Sequence, residues 1–413
     1  MDRKVKKRRN GCLMAAIMWI LLIVLMTSGL VIMVGRGIPQ KWAAELGKKY
    51  NPVPFQETHI AEEEVAHKYF YEQLNSDEKV TYQEILQGIR DYEMKIYIRE
   101  ADTEKIGKII NCIAYDTPEI FWFGGGFRAE KHEETLFEEG HTILTLDYVG
   151  TPEEIEARKQ EVEAAVVKCL EGAPTDGDYE KIKYVYDYIV QNVEYDMEAS
   201  DNQNIYSVFV GERSVCAGYS KAFQYLMDRM DISSTYVIGT TTEGNVQSTL
   251  GHAWNLVRCD GEYYYIDVTW GDPLFTQDDT KEDARVIEGV YYDYMLCTSE
   301  ELFRTHKLDE SIEMPECTAT KDNYYRRNSM YYDMADEQQL LKALNNSLTT
   351  KSNPVIFKFS NEATFTEGRD LIFDKLLEVA AQNYMSMQRL NELHYYQLED
   401  TTNCKVVIEW VYK

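Results

Sequence analysis

Positive charge is scarce in this chain once its first ten residues are passed. Six of its 43 lysines and arginines (Arg3, Lys4, Lys6, Lys7, Arg8, Arg9) fall in residues 1–10 beside one acid, Asp2. Residues 11–413 then hold 37 bases against 69 acids, a formal charge of −32. A body that acidic repels a phosphate backbone, so no nucleic-acid partner is expected. Metal-ligand spacing is missing as well. The eight cysteines (12, 112, 169, 216, 259, 297, 317, 404) include no CxxC pair, and no acidic run near the motifs described below has the pattern of a calcium loop. No metal and no cofactor are called for. A disulfide framework is not expected either, because the spacings are wide and a chain of 413 residues with 44% apolar content can bury its cores without cross-links. Cys112, Cys169 and Cys404 are expected inside those cores.

Charge of either sign is absent from Gly11 to Gly35, a stretch long enough to cross a bilayer as a helix. A cleaved signal has a shorter apolar region, roughly 7 to 15 residues, followed by a small-x-small site. Neither description fits, and an uncleaved signal anchor is the better reading. The expectation is therefore a basic cytoplasmic segment over 1–10 and a transmembrane helix over 11–35, with everything after Arg36 extracellular.

Residues 36–57 read as a polar tether, in which Pro39, Pro52 and Pro54 discourage a continuous helix. Over 58–150, helical spacing (Tyr82, Ile85, Leu86, Ile89; Ile106, Ile109, Ile110, Ile113) mixes with strand alternation at 94–98 and 142–146, which predicts an α+β accessory domain. A second domain is expected over 151–312. It opens with a helix over about 153–170, followed by another for which Asp178 is a plausible cap. A third, over 313–413, is predicted to be α+β again, with helices at 337–348 and 369–381 and strands at 355–359 and 405–412. It carries no catalytic constellation.

The chemistry is concentrated in the second domain. After Cys216, the apolar positions Tyr219, Ala222, Phe223, Leu226, Met227 and Met230 follow a helical stripe that Cys216 itself extends. The thiol thus faces the protein body at a helix N-terminus, where unpaired amides and the helix dipole favour an anion. Those amides could also donate to a developing oxyanion. His252 shares a strand face with Trp254 and Leu256, and Asp260-Gly261 is a good hairpin turn. Pairing about that turn would bring Asp267 within reach of the His252 imidazole. Nucleophile, base and orienting carboxylate are the ingredients of thiol-based acyl transfer. Asn204 and Tyr206 are candidates for a second oxyanion donor, and Trp254 and Trp270 for shielding the site from water.

Val215-Cys216-Ala217-Gly218-Tyr219, Gly251-His252-Ala253-Trp254-Asn255 and Tyr265-Ile266-Asp267-Val268-Thr269-Trp270-Gly271-Asp272-Pro273 resemble the three core motifs of the transglutaminase-like superfamily, in the same order. Tyr292-Asp293-Tyr294-Met295 with the later His306 is similar to the segment that closes the domain in bacterial members, and the flanking segments resemble extensions on exported Gram-positive ones. The resemblance covers about 175–310. It implies a papain-like core of helices packed on an antiparallel sheet, an α+β fold. It also implies Cys216 as nucleophile, His252 as base and Asp267 as orienter, acting on a peptide or protein substrate. Water as acceptor gives a protease or amidase, and an amine gives crosslinking. A surface assembly module that binds peptide without turnover is the reading from a different class.

Overall fold

The computed structural model describes residues 3–35, 41–42, 45, 52–135, 138–243, 246–272 and 289–412. The chain divides into two compact units, Met1–Ala114 with Trp122–Gly150, and Tyr115–Phe121 with Thr151–Lys413.

The first unit begins with helix α1 (Arg3–Gly35). Trp19, Leu25, Met26 and Val31 on it stay more than half exposed, and Met18–Gly35 is long and apolar enough to cross a membrane. Its hydroxyls are satisfied internally: Thr27 Oγ1 donates to the Ile23 carbonyl at 2.9 Å and Ser28 Oγ to that of Val24 at 2.7 Å. Most of the expected tether lies outside the described residues. Its final stretch does not hang free, because the Gln56 amide donates to the Tyr97 carbonyl at 2.9 Å and Arg99 lies 3.9 Å over the Phe55 ring. Helices α2 (Ser76–Arg90) and α3 (Thr103–Asp116) accompany a sheet ordered β1-β3-β2, formed by β1 (Lys95–Ile98), β2 (Phe123–His132) and β3 (His141–Tyr148). Strand β2 escapes the sequence pattern because Gly124, Gly125 and Gly126 interrupt it, and its register breaks between Phe123 and Phe127.

The second unit opens with α4 (Pro152–Leu170), started by a Thr151–Glu154 capping box. In α5 (Asp178–Asn192) the expected cap is displaced by one residue. Gly177 takes the cap position with φ +82°, and Asp178 is already helical. The Asp178 carboxylate instead accepts the Asp260 amide at 3.0 Å, tying the helix to the hairpin turn. Two short parallel strands, β4 (Glu194–Tyr195) and β5 (Arg213–Ser214), bracket α6 (Ile205–Phe209) and lead into α7 (Cys216–Arg229).

Helix α7 packs on a five-stranded antiparallel sheet of order β10-β6-β7-β8-β9. Its strands are β6 (Ser234–Glu243), β7 (Val246–Cys259), β8 (Glu262–Ile266), β9 (Met295–Cys297) and β10 (His306–Leu308). β7 and β8 pair Asn255 with Ile266 and Cys259 with Glu262, the register set by the Asp260-Gly261 turn. β10 follows β9 in the chain but pairs with β6 at the opposite edge. Gly239 on β6 permits this close approach, since a Cβ there would stand 2.1 Å from the Lys307 carbonyl oxygen and 2.5 Å from the Trp254 ring.

A second sheet in this unit has the order β11-β12-β14-β13, with strands at Tyr331–Tyr332, Val355–Phe359, Lys405–Val411 and His394–Asp400 respectively. It is antiparallel except where β11 meets β12. Helix α8 (Glu337–Thr350) runs close to the expected bounds. The helix expected over 369–381 starts earlier, because Asn361 caps it, and extends through α9 (Glu362–Leu371), a π turn (Ile372–Leu376) and α10 (Leu377–Gln388).

Candidate active site

Cys216 is the first residue of α7, behind an extended Val215 that offers no side-chain cap. The first helical hydrogen bond runs from the Tyr219 amide to the Val215 carbonyl, so the amides of Cys216, Ala217 and Gly218 precede it. The turn before them is held tightly. Ser214 Oγ donates to the Asn202 carbonyl at 2.9 Å and lies 2.7 Å from Ser207 Oγ. Gly218 is required there, because a Cβ would stand 1.9 Å from Ser214 Oγ. Of the seven described cysteines, all free thiols, Cys216 alone is not fully buried. Cys216, like Tyr115, Tyr195 and Ile238, packs against a buried cluster of Val215, Ala217, Tyr236 and Ala253.

β7 carries His252, and β8 ends one residue short of Asp267. His252 Nε2 stands 2.7 Å from Asp267 Oδ2, and the Cys216 thiol is within hydrogen-bond reach of the same imidazole. With Nε2 turned to the carboxylate, Nδ1 is the ring nitrogen left for sulfur. The other carboxylate oxygen, Oδ1, accepts the Thr269 amide at 2.9 Å and the Trp270 amide at 3.3 Å. The structure therefore brings Cys216, His252 and Asp267 together.

One contact on this carboxylate was not singled out from spacing. His306 Nε2, on the edge strand β10, stands 3.0 Å from the same Asp267 Oδ2. Trp254 and Trp270 pack on both histidines, with ring centroids 6.0 and 6.1 Å from His252 and 5.1 and 4.8 Å from His306. Of the two candidate oxyanion donors, the Tyr206 hydroxyl is engaged elsewhere. Asn204 Oδ1 caps α6 by accepting the Tyr206 amide, and the Tyr206 hydroxyl donates to Glu161 on α4 at 2.6 Å. Pro273, the last residue of the third motif, lies outside the described residues.

Residues 165–268 match the transglutaminase-like superfamily. The chain carries a transglutaminase-like domain. Mouse kyphoscoliosis peptidase is 21% identical over 201 residues, 44% of this chain and 30% of that protein. The human protein is 20% identical over 220 residues, 49% and 33% respectively. This chain thus spans about a third of the length of these curated relatives. A solved crystal structure of a TGase aligns at 14% identity with a TM-score of 0.25, covering 47% of this chain and 54% of that one.

Electrostatics in the transglutaminase-like domain follow from burial opposed by pairing. Burial would lower the His252 imidazolium, but the charge and hydrogen bond of Asp267, with Cys216 adding to them, raise it to about 10. Burial would raise the Asp267 carboxyl, yet His252 first and His306 second hold it well below the usual carboxylate range. For His306 burial prevails. Its protonation is pushed down, further by the neighbouring His252 charge, despite the pull of Asp267.

His252, Asp267 and His306 also bring one potential ligand atom each to within 4.8 Å of one another. Spacing gives no sign of such a group, because its members lie 15 and 39 residues apart. The two contacts to Oδ2 are hydrogen-bond lengths, whereas ligands about 2.0 Å from a tetrahedral zinc stand roughly 3.3 Å apart. As folded, the cluster is a hydrogen-bonded one.

Proposed function

We propose that this domain is a thiol-dependent acyl-transfer enzyme acting on peptide or protein amides, with Cys216 as nucleophile, His252 as base and acid, and Asp267 as orienter. The 2.7 Å contact between His252 Nε2 and Asp267, with Cys216 in reach of the same ring, is the observation that supports it. Asp267 fixes the tautomer and holds Nδ1 toward sulfur. The thiolate adds to the amide carbonyl carbon, and the oxygen takes up charge facing the Cys216 and Ala217 amides. We assign the Tyr195 hydroxyl, which feels the charge of Cys216, as the side-chain donor in place of Tyr206. Collapse breaks the C–N bond, and the amine leaves with the proton from His252 Nδ1. The resulting thioester is cleaved by water that His252 deprotonates, which releases a carboxylic acid and restores the thiol.

Water is the acceptor we favour, in keeping with the peptidase name of the mammalian relatives. A primary amine in its place would give transamidation. Mass spectrometry of a mixed peptide pool incubated with the protein, with and without added cadaverine, distinguishes the two. Free acids are expected in both cases and should vanish with Cys216→Ala, and adducts alone would overturn the hydrolytic reading.

We also propose that α1 is a signal anchor, with residues 1–10 cytoplasmic, residues 58–150 and 313–413 acting as accessory domains, and the catalytic domain outside the cell. Six basic residues ahead of an uncharged stretch support this orientation. Protease added to intact cells should digest the region after Arg36, and full protection would reverse the topology.

A further inference from the structure

Asp267 Oδ2 receives two imidazoles. His252 belongs to the reacting pair, and the His306 ring lies beside it with centroids 5.4 Å apart. The environment of His306 fixes its proton. Its Nδ1 lies 2.8 Å from Thr305 Oγ1, which in turn lies 2.9 Å from the Tyr294 hydroxyl. Thr305 Oγ1 also donates to the Leu302 carbonyl at 3.3 Å, so the proton is set from the other side of the ring: an ionised carboxylate only accepts, and the His306 proton that faces it sits on Nε2. The ring is buried, with no exposed side-chain surface, and is wedged between Trp254, Trp270 and Tyr294 at centroid distances of 5.1, 4.8 and 5.2 Å. Such a ring cannot swing away.

From this geometry we infer that His306 is a positioning residue for the Cys216–His252 pair: it donates Nε2–H to Asp267 Oδ2 and so keeps the carboxylate ionised and fixed behind His252. The inference rests on the acyl-transfer reading above. With His306 in place, Asp267 accepts four hydrogen bonds, two backbone amides on Oδ1 and two imidazoles on Oδ2. Four donors leave the carboxylate no position at which to take a proton without losing one of them. The remaining titratable groups that face it are Tyr186, Tyr195 and Cys297, all of which are neutral in the working pH range because burial disfavours their anions. His306 is thus the donor on Oδ2 whose ring takes no part in the proton transfers at His252 Nδ1.

The test is the pH dependence of Cys216 alkylation by iodoacetamide in the full-length protein in detergent. Removal of one donor from a buried carboxylate raises its protonation by roughly one pH unit. In His306→Ala, Asp267 should therefore take up a proton earlier as pH falls, moving the acid limb up by about one unit. His306→Gln, whose amide can still donate, should restore the limb. Thr305→Val keeps the ring but removes the polar partner of Nδ1, and should give a smaller shift in the same direction. A uniform loss of rate with an unmoved limb in His306→Ala and Thr305→Val would mean that His306 only fills space, and would overturn the inference alone. If wild-type Cys216 reacts no faster than a denatured cysteine and His252→Ala changes nothing, the acyl-transfer reading falls and this inference with it.

Discussion

Lys405 Nζ donates to Asp293 Oδ2 in a buried ion pair between residues 112 positions apart. The pair joins strand β14 to the segment that leads into β9. Lys358 stands 3.9 Å from the other oxygen of Asp293, the Tyr325 hydroxyl donates to that oxygen at 3.1 Å, and Asp400 lies 3.6 Å from Lys405. Burial would lower the Lys405 ammonium, but Asp293 and Asp400 raise it instead. The next residue, Tyr294, reaches Thr305 beside His306.

Lys405→Met should therefore leave Asp293 short of its closest cation in a dry site. The expected cost is about 3–5 kcal/mol, read as a lower denaturant midpoint. Combining it with Asp293→Asn should recover part of the loss. Equal destabilisation in the double variant would mean that the charges are not coupled.

Alkylation with iodoacetamide under native conditions should modify Cys216 ahead of every other described cysteine. The rest are buried, and burial pushes the Cys169 thiol up to about 11 and that of Cys317 to about 12, with Cys259 and Cys297 higher still. Peptide mapping by mass spectrometry reads the order directly. Preferential labelling of any of those buried thiols would mean that they are more accessible than the fold indicates.

The His252–Asp267 pair gives stability a defined pH window. A raised histidine contributes fully below its ordinary 6.5 and loses that contribution as pH rises through about 10. A depressed carboxylate contributes above its ordinary 3.8 and loses that contribution as pH falls toward its lowered value. The stability gap between wild type and Asp267→Asn should therefore be widest between pH 3.8 and 6.5 and shrink as pH rises from 6.5 through about 10. Denaturant titrations across that range check it, and a gap independent of pH would contradict the pairing.

Gly218→Ala should disturb the nucleophile without touching it. The added Cβ collides with Ser214 Oγ, forcing the 202–204 turn away from α7 at a cost of about 1–3 kcal/mol. Slower alkylation of Cys216 should accompany the lower unfolding midpoint. Normal reactivity with lower stability would separate the turn from the thiol.

What the sequence made legible was local. Helical phase aimed Cys216 inward, and a two-residue turn set the β7–β8 register that delivers Asp267 to His252. What it hid depended on distant pairings. The family resemblance marks His306 only as part of a closing segment; it reaches the site because β10 joins the edge of the sheet farthest from β9, a pairing that local spacing does not announce. Tyr206 was misleading because its hydroxyl finds Glu161, 45 residues upstream. Strand β13 lacks the alternation that marks a strand, because nearly every side chain along it is exposed. Asp178 looked like a cap, and a glycine with positive φ takes that post.

The crossover from β9 to β10 also sets an order of events. Synthesis from the N-terminus makes Cys216, His252 and Asp267 first, and His306 follows 39 residues after Asp267. Until β10 docks on β6, a nascent chain holds a nucleophile and a base around a carboxylate with only one of its two imidazoles. The strand order thus makes the second imidazole the last of this carboxylate's partners to be synthesised.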